Sequence, residues 1–234
     1  MADHEVGAPV AVDARSPKFD GGIATRLDSI PFGTVLNKNH ERFYDEGEDI
    51  WPKRYAIWGR NIAYQPDQIA YCFWDAKVDG MFLPPMYGAY SGPTIGDVAA
   101  CMGLDPAAST AAVATYNAAV PDDATGRFDP ARLDGAATIG LTPPKTNWAQ
   151  RLDTPPFHGI PMRPGITFTY MGVAVDEEAR VQRSDGSAFA NVFAAGEIMS
   201  GNVLSSGYMA GFGMTIGTVW GRIAGREAAR NALR

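Results

Sequence analysis

Cysteine is nearly missing from this chain: Cys72 and Cys101 are the only two in 234 residues, and neither belongs to a CxxC pair. A disulfide-stapled scaffold is thereby excluded, and a reducing, cytoplasmic compartment is the expectation. The three histidines, His4, His40 and His158, are too scattered to form a metal-ligand set, so no metal is expected. No GxGxxG occurs anywhere. The first fifteen or so residues lack the apolar core of a signal peptide. The uncharged run 208–221 is too short for a membrane span and is closed at once by Arg222. Positive charge is also in deficit. The net charge is −6 and the isoelectric point about 5.0, the wrong sign for a nucleic-acid partner.

What remains is the composition of a globular protein, 46% hydrophobic and 20% charged, long enough to bury a core. The first 28 residues read as irregular. Residues 30–36 (IPFGTVL) read as a short strand, with a turn at 37–41 and an extended segment at Arg42, Phe43 and Tyr44 completing a hairpin. Residues 54–63 have apolar residues at helical spacing. Residues 69–74 (IAYCFW) read as a buried strand. Thr94 can cap a helix over 94–102, and Pro106 opens an alanine-rich helix to Val120. Residues 121–164 are proline-rich without periodicity and read as a long loop. Beyond them come a hairpin around 172–181, a turn at Ser184, Asp185 and Gly186, a strand at 191–195, and a final helix over 214–233. On that helix Gly217, Gly221 and Gly225 share one face, which suits close approach of a neighbour. The five tryptophans read as core or interface residues.

The end of the chain is strand, glycine-rich loop, helix. Such a unit aims backbone N–H groups and a positive helix end at an electron-rich or anionic group. It would let Glu197 reach ribityl or ribose hydroxyls. The same glycines also suit a tight turn with close helix packing, and both readings stand.

Residues 191–229, NVFAAGEIMSGNVLSSGYMAGFGMTIGTVWGRIAGREAA, resemble the C-terminal end of the fumarate reductase/succinate dehydrogenase flavoprotein-like (FAD-dependent oxidoreductase 2) family. Arg42, Phe43 and Glu46 match that family's segment at the start of its capping domain, and residues 163–176 resemble its re-entry into the flavin domain. Within the family the blocks AVDARSPKFDGG, RFYDEGED, WPKRYAIWGR, GLTPPKT and RPGITFTY are similar to the tricarballylate-oxidising dehydrogenases. The resemblance implies a mixed α+β and α/β chain. Its parts are a cap (substrate) domain and the C-terminal return segment of a GR2-type FAD-binding domain, with the N-terminal dinucleotide-binding unit absent. Residues 1–29 would end the first flavin-domain segment, 30–166 form the cap, and 167–234 the C-terminal flavin segment. The chain is read as a fragment whose missing N-terminal FAD-binding portion carries the GxGxxG.

The cofactor implied is FAD, held by Gly196, Glu197, Gly211, Gly213, Met214, Thr215 and Ile216. The activity implied is dehydrogenation of a small polycarboxylate such as tricarballylate, with electrons passing on to a membrane-linked electron-transfer protein. Thr167, Phe168 and Thr169, and Ser205 to Tyr208, stand where fumarate reductases carry histidines and an arginine, so fumarate itself is not the expected substrate. Removing a proton beside a carboxylate needs a base, and the carboxylates need cations. Glu46, Arg54, Arg60 and Tyr208 are the catalytic candidates, with Lys77 and Arg163 as further cations. Each cation is also an ordinary surface charge, Glu46 also a plain salt-bridge partner, and the Tyr208 ring a packing residue. Two other readings stay open: a non-catalytic cap module, and a ketosteroid-type dehydrogenase suggested by Phe82, Tyr87 and Tyr90. Were the chain half of a flavin domain, it would expose apolar surface and be poorly soluble alone.

Overall fold

In a computed structural model, residues 7–20, 22–124, 129 and 131–233 are described; His4 and the side chain of Trp51 lie outside them. The strands are β1 (Gly7–Asp13), β2 (Thr34–Asn37), β3 (Ala70–Asp75), β4 (Tyr90–Gly92), β5 (Phe157–Thr169), β6 (Arg180–Gln182) and β7 (Ala188–Phe193). The helices are α1 (Trp51–Ala63), α2 (Ile95–Cys101), α3 (Pro106–Ala119) and α4 (Phe212–Ala232). The chain divides into two compact units, Val10–Gly165 and the pair of segments Met1–Pro9 and Ile166–Arg234.

The larger unit is built on a sheet in the order β1-β5-β3-β2, with β4 also paired to β5. β3 shows why its sequence is a continuous apolar run rather than an alternating one. Ala70, Cys72 and Trp74 pack on one face with Trp58 and Ile62 of α1, and Tyr71 and Phe73 on the other with Val98 of α2 and Val113 and Tyr116 of α3. A strand covered on both faces has no solvent side to spend on polar residues. Gly33 is required next to it, because a Cβ there would lie 2.0 Å from the Phe73 carbonyl oxygen.

Two strands depart from the sequence reading. Residues 7–13, read as irregular, form β1, and residues 157–164, read as loop, form most of β5. β5 carries Pro161, Pro164, Gly159 and Gly165, which argue against a strand by propensity. The glycines are there for packing. A Cβ at Gly159 would meet Val98 and Met102 at 2.6–2.7 Å, and one at Gly165 would meet Val12 at 2.5 Å. Residues 10–29, expected with the flavin segment, pack in the larger unit, where Ala11 and Leu27 join the core around Val35 and Met162. The expected extended segment at residues 42–44 forms no strand; the chain reverses at Asn37, whose amide is bonded to the Glu41 carbonyl oxygen. Thr94 caps α2 as expected, accepting the Asp97 amide at 3.1 Å.

In the smaller unit the hairpin expected around 172–181 reduces to a single bridge between Val175 and Val181; β6 and β7 pair instead, with Asp185 and Gly186 in the turn, and α4 packs against β7. Gly217, Gly221 and Gly225 have nothing within 4 Å of a Cβ position, so the close approach expected along that stripe is not made among the described residues. The unit also leaves Ile166, Met171, Ile198, Met209, Met214 and Val219 exposed. No helix among the described residues is long and apolar enough to cross a membrane, and these residues hold no cluster of metal-ligating side chains.

Candidate active site

The glycine-rich segment is fixed by lacing residues 169–175 to the short helical turn Glu197–Asn202. The Ser200 hydroxyl donates to the Thr169 carbonyl at 2.8 Å, Val173 N–H to the Ile198 carbonyl at 2.8 Å, and Asn202 bridges Val173 and Val175. Gly172 and Gly201 permit this contact; a Cβ at either would collide with a backbone carbonyl across the seam, at 1.8 and 2.2 Å. The lacing presents Glu197 at the surface. One carboxylate oxygen accepts the Thr169 amide at 2.9 Å and the Thr169 hydroxyl at 3.0 Å. The second oxygen has no partner among the described residues and is left to accept hydroxyls. Gly196 beside it has a positive φ of 82° and open space around its Cβ position.

The turn Glu197–Asn202 packs against α4, whose first turn begins after Gly211 (φ 90°). Its N-terminal amides are unequally used. Phe212 N–H donates to the Met209 carbonyl, Gly213 N–H to the Tyr208 hydroxyl at 2.9 Å, and Thr215 N–H to the Gly211 carbonyl. Met214 N–H has no acceptor among the described residues, and Met214 is 80% exposed. An unpaired amide at a helix start is a donor held ready for an electron-rich group.

Of the seven cofactor-binding candidates, Gly196, Glu197, Gly211 and Met214 therefore present open surface. Three do not. The Gly213 amide is taken by Tyr208, and its Cβ direction is covered by the Phe168 ring at 2.8 Å. Thr215 turns its hydroxyl back on the Gly211 carbonyl. Ile216 faces inward and is buried. Tyr208, expected near substrate, packs its ring at a tilt on Phe168, centroids 4.9 Å apart, and caps α4 with its hydroxyl. Thr169, noted in the sequence only as standing where fumarate reductases carry a histidine block, is the residue that orients Glu197; 28 residues separate the two, and no local pattern links them.

The other catalytic candidates lie in the larger unit. Glu46 is 1% exposed. Its Oε1 accepts the Thr34 hydroxyl (2.9 Å), the Val35 amide (2.8 Å) and Arg42 Nε (3.0 Å), and its Oε2 pairs with Arg42 Nη2. Both oxygens are consumed, so of the two sequence readings the geometry is that of the salt-bridge partner. Lys145 is also fully buried, donating to the Pro31 and Gly33 carbonyls at 2.9 and 2.7 Å. Burial pushes its pKa down to about 8, against the upward pull of Glu46. Arg54 pairs with Glu48 at 2.9 Å and keeps 42% of its side chain exposed, while Arg60 lies exposed further along α1. Lys77 is bound to Asp75 and Asp153, and Arg163 to Ser16 and Pro17.

The unit that ends in Glu197 and α4 defines a flavin-binding class of protein. Residues 5–214 match FAD_binding_2, described as an FAD binding domain. The chain belongs to this family, and its cofactor is FAD. The free Glu197 oxygen, the unpaired Met214 amide and the open Gly196 and Gly211 fit that group. Digoxin reductase of Eggerthella lenta is 33% identical over 183 residues, covering 74% of this chain and 30% of the reductase. Two solved structures share the fold. The open conformation of a flavocytochrome c3 fumarate reductase has a TM-score of 0.66 at 22% identity, over 99% of this chain and 37% of that one. The 3-ketosteroid delta1-dehydrogenase of Sterolibacterium denitrificans has a TM-score of 0.65 at 17% identity, over 97% and 44%. The chain thus spans less than half the length of each.

Proposed function

We propose that this chain is part of an FAD-dependent dehydrogenase that converts a CH–CH bond beside a carboxylate into an alkene, with a small polycarboxylate such as tricarballylate as substrate. The observation that supports the flavin assignment is the Glu197 carboxylate, held through one oxygen by Thr169 and open through the other, on a turn that packs against α4. When bound, FAD supplies the two-electron acceptor. Glu197 would hold sugar-chain hydroxyls, and the start of α4 would face the electron-rich edge of the ring. Arg54, with part of its side chain in solvent, is the leading cation for a substrate carboxylate, and Arg60 the second. The proposed electron acceptor is a membrane-linked electron-transfer protein, and the proposed compartment the cytoplasm.

A second reading, an apolar ketosteroid-type substrate, is favoured by one feature. The loop after β3 exposes Met81, Leu83, Met86 and Tyr87, an apolar run on the capping unit. The two readings separate on anaerobic mixing of the flavin-loaded natural gene product with each substrate. Loss of flavin absorbance with tricarballylate and not with a 3-ketosteroid supports the first. The reverse supports the second. Bleaching by neither overturns both.

A further inference from the structure

The sheet of the larger unit brings together three side chains that the flavin chemistry does not use. His158 on β5 lies directly opposite Trp74 on β3 and Ser91 on β4, so all three project from the same face in one row. The imidazole stacks on the Trp74 ring at 5.7 Å and 27°, which fixes its plane. Nδ1 is 2.7 Å from the Ser91 hydroxyl, and Nε2 is 3.3 Å from an Asp79 carboxylate oxygen. Ser91 is exposed.

The tautomer follows from electrostatics. Nε2 is buried and has no aligned hydrogen-bond partner; its nearest charged neighbour is the Asp79 carboxylate. A proton on Nδ1 would leave the bare Nε2 lone pair facing that carboxylate. A proton on Nε2 removes the repulsion and leaves Nδ1 as the acceptor for the Ser91 O–H. With the proton on Nε2, facing Asp79, the Nδ1 lone pair sits on an exposed serine proton, the arrangement that activates a hydroxyl nucleophile.

We propose that Ser91 is a base-activated nucleophile that accepts acyl or phosphonyl groups from small activated esters, a second reactive site independent of the flavin. In the step, Ser91 Oγ bonds to the electrophilic carbon or phosphorus and the bond from that atom to the leaving group breaks. The serine proton passes to His158 Nδ1 and departs with the leaving group. Nothing is oxidised or reduced.

The test uses a fluorophosphonate probe on the intact chain, with the adduct mapped by mass spectrometry. The expected result is labelling at Ser91 ahead of other serines, lost in Ser91→Ala. His158→Gln, which can still bond Ser91 but takes up no proton, lowers the labelling rate by about 100-fold. His158→Phe, which keeps the stack on Trp74, does the same, and each variant is compared by thermal melt so that a folded one decides. No adduct at Ser91 in the wild-type protein overturns the proposal, as does equal labelling in a folded His158 variant.

Discussion

Glu46→Ala should destabilise the larger unit rather than merely slow a reaction. The substitution strands the Arg42 guanidinium, whose side chain is 8% exposed, without its carboxylate, and orphans the Val35 amide and the Thr34 hydroxyl. Removing one partner of a buried ion pair costs about 3–5 kcal/mol, because the remaining charge stays desolvated. An unsatisfied buried amide adds about 1–3 kcal/mol, part of which water entering the vacated space recovers. A net loss of about 4 kcal/mol is therefore expected, a large share of the roughly 5–15 kcal/mol that holds a typical domain together. Urea melts followed by tryptophan fluorescence report it directly, since Trp58 and Trp74 sit in the same core. In the Glu46→Ala background, Arg42→Ala should cost far less than it does alone, a coupling of at least about 2 kcal/mol. A Glu46→Ala midpoint within about 1 kcal/mol of wild type would refute the structural role and return Glu46 to the proton-relay reading.

Lys145 makes stability depend on pH with an unusual sign. Its folded pKa, about 8, lies below the ordinary 10.5, so between those values the unfolded chain holds a proton the folded protein has lost. Its contribution to stability rises with pH across that window, on the order of 3 kcal/mol in all. The measured difference between wild type and Lys145→Met, in denaturant melts at a series of pH values, should follow that rise. Gly221→Ala should stabilise α4 in this chain by about 1 kcal/mol, because its Cβ meets only open space; a thermal melt checks this, and destabilisation would mean that something covers the stripe.

Local chemistry carried much of the fold into the sequence. Thr94 as a cap, Pro106 opening α3, and the doubly buried β3 are short-range signals. β5 was invisible for the opposite reason: Gly159 and Gly165 are dictated by Met102, Val98 and Val12, residues far away in sequence, and read locally as breakers. The site divides the same way. Glu197 and Gly211 stand out in one dimension. That Tyr208 would cap α4 and consume the Gly213 amide, that Ile216 would turn inward, and that Thr169 would steer Glu197 are properties of packing. Ser91 and His158 are 67 residues apart and meet only because two strands pair in one register.

The central claim is that flavin rests on the surface formed by Gly196, Glu197, Gly211 and the Met214 amide. Amide chemical-shift mapping during titration with FAD tests it most directly. The Gly196, Gly211 and Met214 amides should move together and saturably, and Glu197→Gln should weaken the response while leaving the rest of the spectrum in place. Amides in this segment that stay still at saturating FAD, or that move no less in Glu197→Gln, would contradict it.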